Sequence, residues 1–181
     1  TLNGSSSTGT ATWTTSGTGT FVPNNTTLNA TYNPSPADIS AGTVTLTLTS
    51  TNNGACTPVN DQMVITITPA PTVNAGVNQT VCANNANVNL NAVFTVATGV
   101  VWTTSGTGSF SPLNTSNPVT YIPSNGDTAA GTVTITVTTT GNGTCLPVSD
   151  QMIITITDAP VVNAGIDDSV CVNNPNVTLS G

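Results

Sequence analysis

Apolar and polar residues alternate at every second position along most of the chain. The pattern is clearest in TVTITVT at 132–138 and in QMIITIT at 151–157. Successive side chains of a β-strand point to opposite faces, so this alternation predicts strands with one buried face.

Residues 71–158 contain about seven such segments, the number found in an immunoglobulin-like sandwich. They are a first strand broken into TVNAG and NQTVC, then NVNLNA, VVWTT, PVTYI, TVTITVT and QMIITIT. Trp102 continues an apolar run and is predicted, like Trp13, to fill a core; a carbohydrate-stacking platform is the alternative. The abundant Thr, Val, Asn and Gly favour strands and turns, which makes the predicted fold class all-β.

The chain repeats itself. Trp13 recurs as Trp102 and Cys56 as Cys145, each 89 residues later, and PTVNAGVNQTVCANN at 71–85 returns as PVVNAGIDDSVCVNN. This period is close to the size of one small sandwich domain, so we predict tandem immunoglobulin-like domains joined at the proline segments PAP and DAP.

The repeat predicts three parts. Residues 1–69 form an incomplete repeat without its first strand, 70–158 a complete repeat, and 159–181 the first strands of a third. Either the sequence is a window on a longer array, or 160–177 of one chain completes 1–69 of the next by strand addition. Both alternatives give a head-to-tail filament of neighbouring repeats or subunits.

The repeated stretch WTTSGTG, rich in glycine and hydroxyl groups, could cradle a phosphate or form a turn. Phosphate loops open a helix and usually carry a lysine, whereas here a phenylalanine follows and the chain contains no lysine. We therefore predict a glycine-permitted turn at the end of a core strand.

Charge excludes several functions. The chain has no Lys, Arg or His and a net charge of −7, so it cannot neutralise nucleic-acid phosphates or an anionic membrane. No apolar run is long enough for a membrane span, and the missing initial Met and signal peptide suggest a fragment or processed piece. Asp61 and Asp150 precede the last strand of each repeat and are predicted to close turns, so we expect no enzyme and no cofactor.

Three aspartates near the second joint are candidate calcium ligands: Asp158, with Asp167 or Asp168. The aligned residues at the first joint are Pro69, Asn78 and Gln79, none of them a carboxylate, which argues against a general calcium site.

The four cysteines favour disulfides, and hence an extracellular location, over a metal site, because histidine and CxxC motifs are absent. Within one domain the available pair is Cys82 with Cys145, which leaves Cys56 and Cys171 to pair outside the chain. The two positions lie at opposite poles of an immunoglobulin topology, so bonds between adjacent domains are the alternative.

Five stretches together resemble the tandem PKD-like repeats in very large surface adhesins of gliding bacteria, which are exported by type IX secretion. They are PTVNAGVNQTVCANN, VWTTSGTGSF, TYIPS, AAGTVTITVTTTGNGTC and PVSDQMIITIT. The resemblance implies an extracellular, cell-surface stalk, and it makes Thr128 and Ser169 candidates for O-glycosylation within Asp-(Ser/Thr)-apolar triplets.

The expected function is therefore a structural repeat of an adhesin stalk or surface filament. The alternative is a module that binds glycans or a surface through its outward threonine rows or its loops.

Overall fold

The computed structural model describes residues 1–179. The chain forms two compact units. Unit 1 comprises Thr1–Ala70 together with the short segment Thr144–Leu146, and unit 2 comprises Pro71–Gly143 and the chain from Pro147 onward.

Unit 2 is a sandwich of short strands. Its four-stranded sheet has the order β10 (Gly99–Thr104), β13 (Thr132–Thr140), β14 (Ser149–Thr157), β7 (Gln79–Cys82). Facing strands are β11 (Ser109–Ser111), β12 (Val119–Ile122) and β8 (Val88–Leu90), with a separate pair β6 (Thr72–Asn74) and β9 (Val93–Thr95). The predicted all-β, immunoglobulin-like sandwich is confirmed.

The first strand of unit 2 is divided between two sheets, as its broken pattern predicts. β6 pairs antiparallel with β9, whereas β7 pairs parallel with β14. Ala75, between the two halves, is 2% exposed, whereas Val77 is 80% exposed. The strands β9 and β11, three residues each, are too short to give an alternation signal and were not predicted.

The core of unit 2 follows the two-residue period. In β13 every second residue from Val133 to Thr139 is buried, and β14 adds the inward residues Met152, Ile154 and Ile156. Burial of these apolar side chains is the main stabilising contribution to the sandwich.

Unit 1 repeats the later part of this fold. Its sheets are β1 (Ala11–Thr15), β4 (Thr43–Ser50), β5 (Asn60–Thr66) and the pair β2 (Thr20–Val22), β3 (Thr31–Asn33). The strand β2 precedes β11 by 89 residues, and the other paired elements keep the same offset.

Each unit also has one six-residue helix that the strand patterns did not predict. They are α1 (Pro36–Ala41) and α2 (Asn125–Ala130). Each starts with a capping box, Ser35 with Asp38 or Ser124 with Asp127, and ends at a left-handed glycine, Gly42 or Gly131, both at φ 74°.

Candidate functional site

The repeated glycine turn cradles an anion, and that anion belongs to the protein itself. In unit 2 the backbone N–H of Thr107 donates to Asp127 Oδ1 at 2.8 Å. The hydroxyl of Tyr121 donates to Asp127 Oδ2 at 2.7 Å, and the N–H of Ser124 donates to the same oxygen at 2.9 Å. We call this arrangement of turn, tyrosine and aspartate the carboxylate clamp.

Unit 1 contains the same clamp around Asp38. The N–H groups of Thr18 and Gly19 donate to its two carboxylate oxygens at 2.9 Å each, and Tyr32 donates at 2.7 Å. Because the turn threonine, the tyrosine and the aspartate recur at equivalent positions, the clamp is a property of the repeat.

The glycines of the turn are needed for close approach. A Cβ atom at Gly106 would lie 2.1 Å from Asp127 Oδ1, and one at Gly108 would lie 2.5 Å from the Tyr121 hydroxyl oxygen. The predicted turn is therefore present, but its glycines make room for the clamp, and neither adopts a positive φ.

Further hydrogen bonds connect the clamp to the rest of the sandwich. Thr104 at the end of β10 donates from Oγ1 to the Tyr121 hydroxyl at 3.0 Å, and Gly106 N–H donates to Thr104 Oγ1. Phe110 packs on Tyr121 with ring centroids 5.2 Å apart. Three elements distant in sequence, β10, β12 and α2, are thus held at one point.

The hydrogen bonds stabilise the ionised carboxylates. The pKa of Asp38 is lowered from 3.8 to about 2, chiefly by the backbone N–H groups of Ser35 and Thr18. Burial alone would raise the pKa of Asp127, but hydrogen bonds from Ser124, Tyr121 and Thr107 outweigh it and lower that pKa. Burial is the main cause that raises the pKa of Tyr32 and Tyr121.

The carboxylate at the centre of the clamp is enclosed by the protein. Asp127 is 3% exposed, and both of its oxygens accept hydrogen bonds from the protein. A general base must reach a substrate proton, and this carboxylate is enclosed by its own donors. One sequence signal could have indicated the clamp. The capping box and the SGTG segment both occur twice, and each pair is separated by the same 89 residues.

The tryptophans lie in the cores of their units. Trp102 is 0% exposed and Trp13 is 4% exposed. Neither presents a ring face to solvent, which removes the geometric basis for the stacking platform. The Trp13 indole N–H donates to the Leu28 carbonyl at 3.2 Å.

The predicted Cys82–Cys145 disulfide is not formed: all four cysteines in residues 1–179 carry free thiols. Cys82 ends β7 in unit 2, where its Sγ lies 3.6 Å from the Asp158 carbonyl oxygen. Cys145 belongs to unit 1, where its Sγ lies 3.6 Å from the Pro69 carbonyl oxygen. The two thiols therefore have different surroundings, which agrees with the expectation that Cys82 and Cys145 lie at opposite poles of the domain. Cys56 and Cys171 are exposed.

The candidate calcium ligands Asp158, Asp167 and Asp168 are all exposed. Across the described residues, 1–179, no group of three or more cysteine and aspartate side chains converges in a way that could hold a metal ion. The prediction that Asp61 and Asp150 close turns is wrong, because both lie inside strands, in β5 and β14. Asp150 accepts the Ala75 N–H at 2.9 Å, and Asp61 accepts the adjacent N–H of Gln62.

The glycosylation candidates differ in accessibility. Thr128 lies in α2, half-buried, and its hydroxyl donates to the Ser124 carbonyl at 3.0 Å. Ser169 is exposed. Modification of either residue stays a prediction, for which Ser169 has the more accessible hydroxyl.

The outward threonines bond along the sheet surface. Thr136 Oγ1 accepts from Gln151 Nε2 at 3.0 Å, and Thr138 shares a 2.8 Å hydrogen bond with Ser149. These cross-strand pairs stabilise the neighbouring strands β13 and β14.

Among residues 1–179, β5 is an edge strand of the main sheet of unit 1. No strand in these residues lies beside β5 as β7 lies beside β14. Met63 of β5 is 42% exposed, whereas the equivalent Met152 is 1% exposed. A cavity of about 280 Å³ opens beside Met63 and is lined also by Trp13, Leu48 and Asp61.

Comparison with known proteins gives no family assignment: no family model matches the chain, and no curated protein does. None of the helices in residues 1–179 is long and apolar enough to cross a membrane.

Among solved structures, the chain is similar to human protocadherin-24 EC1-2, at 12% identity over 86% of each chain and a TM-score of 0.39. Human desmocollin-1 ectodomain matches at 10% identity over 85% of this chain and 35% of that one, with a TM-score of 0.38. Mouse cadherin-23 EC22-24 matches at 12% identity over 82% of this chain and 54% of that one, with a TM-score of 0.35. At these scores the matches carry no inference about function.

Proposed function

We propose that the chain is a tension-bearing spacer, a repeat module of an extracellular adhesin stalk or surface filament. The observation that carries the proposal is the parallel pairing of β7 with β14 in unit 2. These strands contain the first and last core segments of the repeat, so the chain enters the main sheet by one and leaves by the other.

The parallel pairing sets how tension acts on the hydrogen bonds. A pull on Pro71 acts first on β6 and, once β6 has separated from β9, at the amino end of β7, whereas a pull on Asp158 acts at the carboxyl end of β14. Since the two strands are parallel neighbours over four residue pairs, from Ile154–Gln79 to Thr157–Cys82, the force slides one along the other. All of the hydrogen bonds between β7 and β14 then carry the force together. Breaking them together needs a higher force than breaking them one after another.

The carboxylate clamp supports the same function from inside the sandwich. It joins residues up to 23 positions apart, from Thr104 to Asp127, at one buried point. A chain that has begun to open at its ends still has to break this charged network to unravel further, and hydrogen bonds to charged groups are the stronger ones.

Composition supports the extracellular setting. A chain without Lys or Arg offers no cleavage site to trypsin-like proteases and no positive charge for nucleic acid or an anionic membrane. The repeat motifs favour, within this function, a stalk of the type found in the large surface adhesins of gliding bacteria.

Single-molecule pulling of the 181-residue chain tests the proposal. We expect a distinct force peak for unit 2, followed by release of about 26–28 nm of chain between Gln79 and Thr157, less the distance between these residues when folded. Smooth extension without a peak would show that the sandwich does not resist tension and would overturn the proposed function.

A further inference from the structure

We propose that the loop between β11 and β12 closes the outer edge of β10, and that Asn114 in this loop thereby prevents a second copy of the chain from pairing with that edge. Asn25 has the same role at β1 in unit 1. The inference concerns contacts between copies of the chain and stands apart from the spacer function.

The strand β10 lies at one end of the main sheet of unit 2. In the order β10-β13-β14-β7 it pairs with β13 on one side only. The backbone groups of successive residues in an antiparallel strand point alternately to its two sides. The Trp102 N–H points away from β13, and by this alternation the backbone groups of Val100 and Thr104 do too. Trp102 is therefore the middle one of three residues at which another strand could pair.

The sequence of this edge favours pairing with another chain. β10 reads GVVWTT, in which β-branched and aromatic residues are common and charge and proline are absent. Short uncharged segments of this kind readily add to other strands. Proteins usually protect such edges with lysine, another charge or proline, and the whole chain contains no lysine. An edge without these residues needs a cover of another kind.

Asn114 provides that cover. The Trp102 N–H donates to the Asn114 carbonyl oxygen at 2.8 Å, and Asn114 Nδ2 donates to the Trp102 carbonyl oxygen at 3.1 Å. One loop residue thus makes both of the hydrogen bonds that a residue of a partner strand would make. With Trp102 occupied, Val100 and Thr104 are no longer successive pairing positions, so a second strand has no continuous ladder to form.

Unit 1 closes the edge of β1 in the same way. The Trp13 N–H donates to the Asn25 carbonyl oxygen at 2.8 Å, and Asn25 Nδ2 donates to the Trp13 carbonyl oxygen at 3.2 Å. β1 reads ATWTT, again without charge or proline, and it also lies at one end of its sheet. The contact therefore belongs to both units.

The cover requires an asparagine side chain, and the partner that it excludes is a second copy. The Trp102 carbonyl needs a donor, which the amide of Asn114 supplies and an aspartate or leucine of similar size does not. Two uncovered β10 strands are identical edges, so they can pair antiparallel about a two-fold axis. Each copy would then gain the backbone hydrogen bonds that Asn114 now makes.

Two asparagines of the same loop provide a matched test. Asn114→Ala removes the donor to the Trp102 carbonyl. Asn117→Ala is the control, because the Asn117 side chain makes two hydrogen bonds with Ala92, at 2.8 and 2.9 Å. These bonds continue the ladder between β12 and β8 and lie away from the edge of β10. The control loses at least as many hydrogen bonds, so destabilisation alone would promote association in both variants.

Sedimentation velocity measures the association of each chain with itself. We expect the association constant of Asn114→Ala to exceed those of the parent chain and of Asn117→Ala about tenfold or more, because the Trp102 carbonyl gains a partner only by pairing. Adding Thr103→Glu to Asn114→Ala should return the constant to the parent value. Thr103 is an exposed residue of β10, and paired edges would then carry like charges close together.

Equal association of Asn114→Ala and the parent chain would overturn the proposal. Association of Asn114→Ala that Thr103→Glu leaves unchanged would also overturn it, since the contact would then lie elsewhere or arise from unfolding. Asn25→Ala repeats the test on unit 1, with the same expected increase, and supplies a second variant if Asn114→Ala does not fold.

Hydrogen exchange at the Trp102 amide tests the cover itself. In dilute solution we expect this amide to exchange about tenfold faster or more in Asn114→Ala than in the parent chain and in Asn117→Ala, because the loop is then held at one point of the edge instead of two. Unchanged protection of Trp102 in dilute Asn114→Ala would mean that the loop closes the edge without its side chain, and would overturn the role of Asn114.

Discussion

At the residue scale, the carboxylate clamp explains why TTSGTG occurs twice. The sequence predicts a turn there, and a turn is found. The sequence did not predict that Asp127 accepts hydrogen bonds from this turn. Asp127 lies 20 residues from Thr107, and sequence patterns predict only contacts between residues that are close along the chain. The capping box of Ser124 and Asp127 was readable, but a capping box alone does not indicate that the same carboxylate reaches a distant turn.

The geometry of the clamp predicts that a single methyl group added at Gly106 destabilises unit 2. In Gly106→Ala the new Cβ would lie 2.1 Å from Asp127 Oδ1, which forces the turn away from the carboxylate. We expect unit 2 to lose about 1–3 kcal/mol in its free energy of unfolding, the usual cost of overpacking.

Gly99→Ala is the matched control, because its Cβ would meet only the terminal hydroxyl of Thr140 at 3.1 Å. Urea denaturation followed by tryptophan fluorescence, in chains that carry Trp13→Phe so that Trp102 alone reports, measures both variants. Equal stabilities for Gly106→Ala and Gly99→Ala would contradict the clamp.

The lowered pKa of Asp38 predicts acid sensitivity with a definite sign. The carboxyl has a pKa of about 2 in the folded state against an ordinary 3.8, so the unfolded state binds the proton more readily. Its stabilising contribution is complete above about pH 5 and is lost as the pH falls from about 4 towards 2. The lowered pKa of Asp127 acts in the same direction.

Thermal unfolding from pH 7 to pH 2 checks this expectation. The transition temperature should hold steady down to about pH 5 and then fall, and the fall should be smaller in Asp38→Asn. A parent chain whose transition rises on acidification below pH 4 would refute the assignment.

At the element scale, the long strands follow directly from the sequence, whereas some of the short elements do not. β13 and β14 have nine residues each and alternate throughout. β9 and β11 have three residues, which is less than two full periods of alternation. The division of the first strand into β6 and β7 was visible as an interruption at AGVN, but its parallel pairing with β14 is a tertiary feature that local pattern does not specify.

The equivalent methionines of β5 and β14 provide a matched test at this scale. Met152→Ala removes a side chain that is 1% exposed, and we expect it to cost about 2–5 kcal/mol. Met63→Ala removes one that is 42% exposed and should cost less than about 1 kcal/mol in the dilute monomer.

Differential scanning calorimetry of the two single variants measures the contrast. A Met63→Ala chain as destabilised as Met152→Ala would mean that the edge of unit 1 is covered in solution.

At the scale of the whole molecule, the proposed function depends on how tension enters the sandwich of unit 2. Composition and repetition predicted a structural protein and excluded nucleic-acid binding, because those conclusions need only the presence and spacing of residue types. The direction in which the hydrogen bonds are loaded needs the sheet order, β10-β13-β14-β7, which only the structure supplies.

Pulling unit 2 in two directions tests the central claim most directly. Handles at Pro71 and Asp158 slide β7 along β14, whereas handles at Thr132 and Asp158 separate β13 from β14 one pair at a time, because Thr132 faces Thr155 near the carboxyl end of β14. A spacer built for tension predicts a clearly higher unfolding force in the first direction at the same pulling speed. Equal forces in both directions, or a higher force in the second, would contradict it.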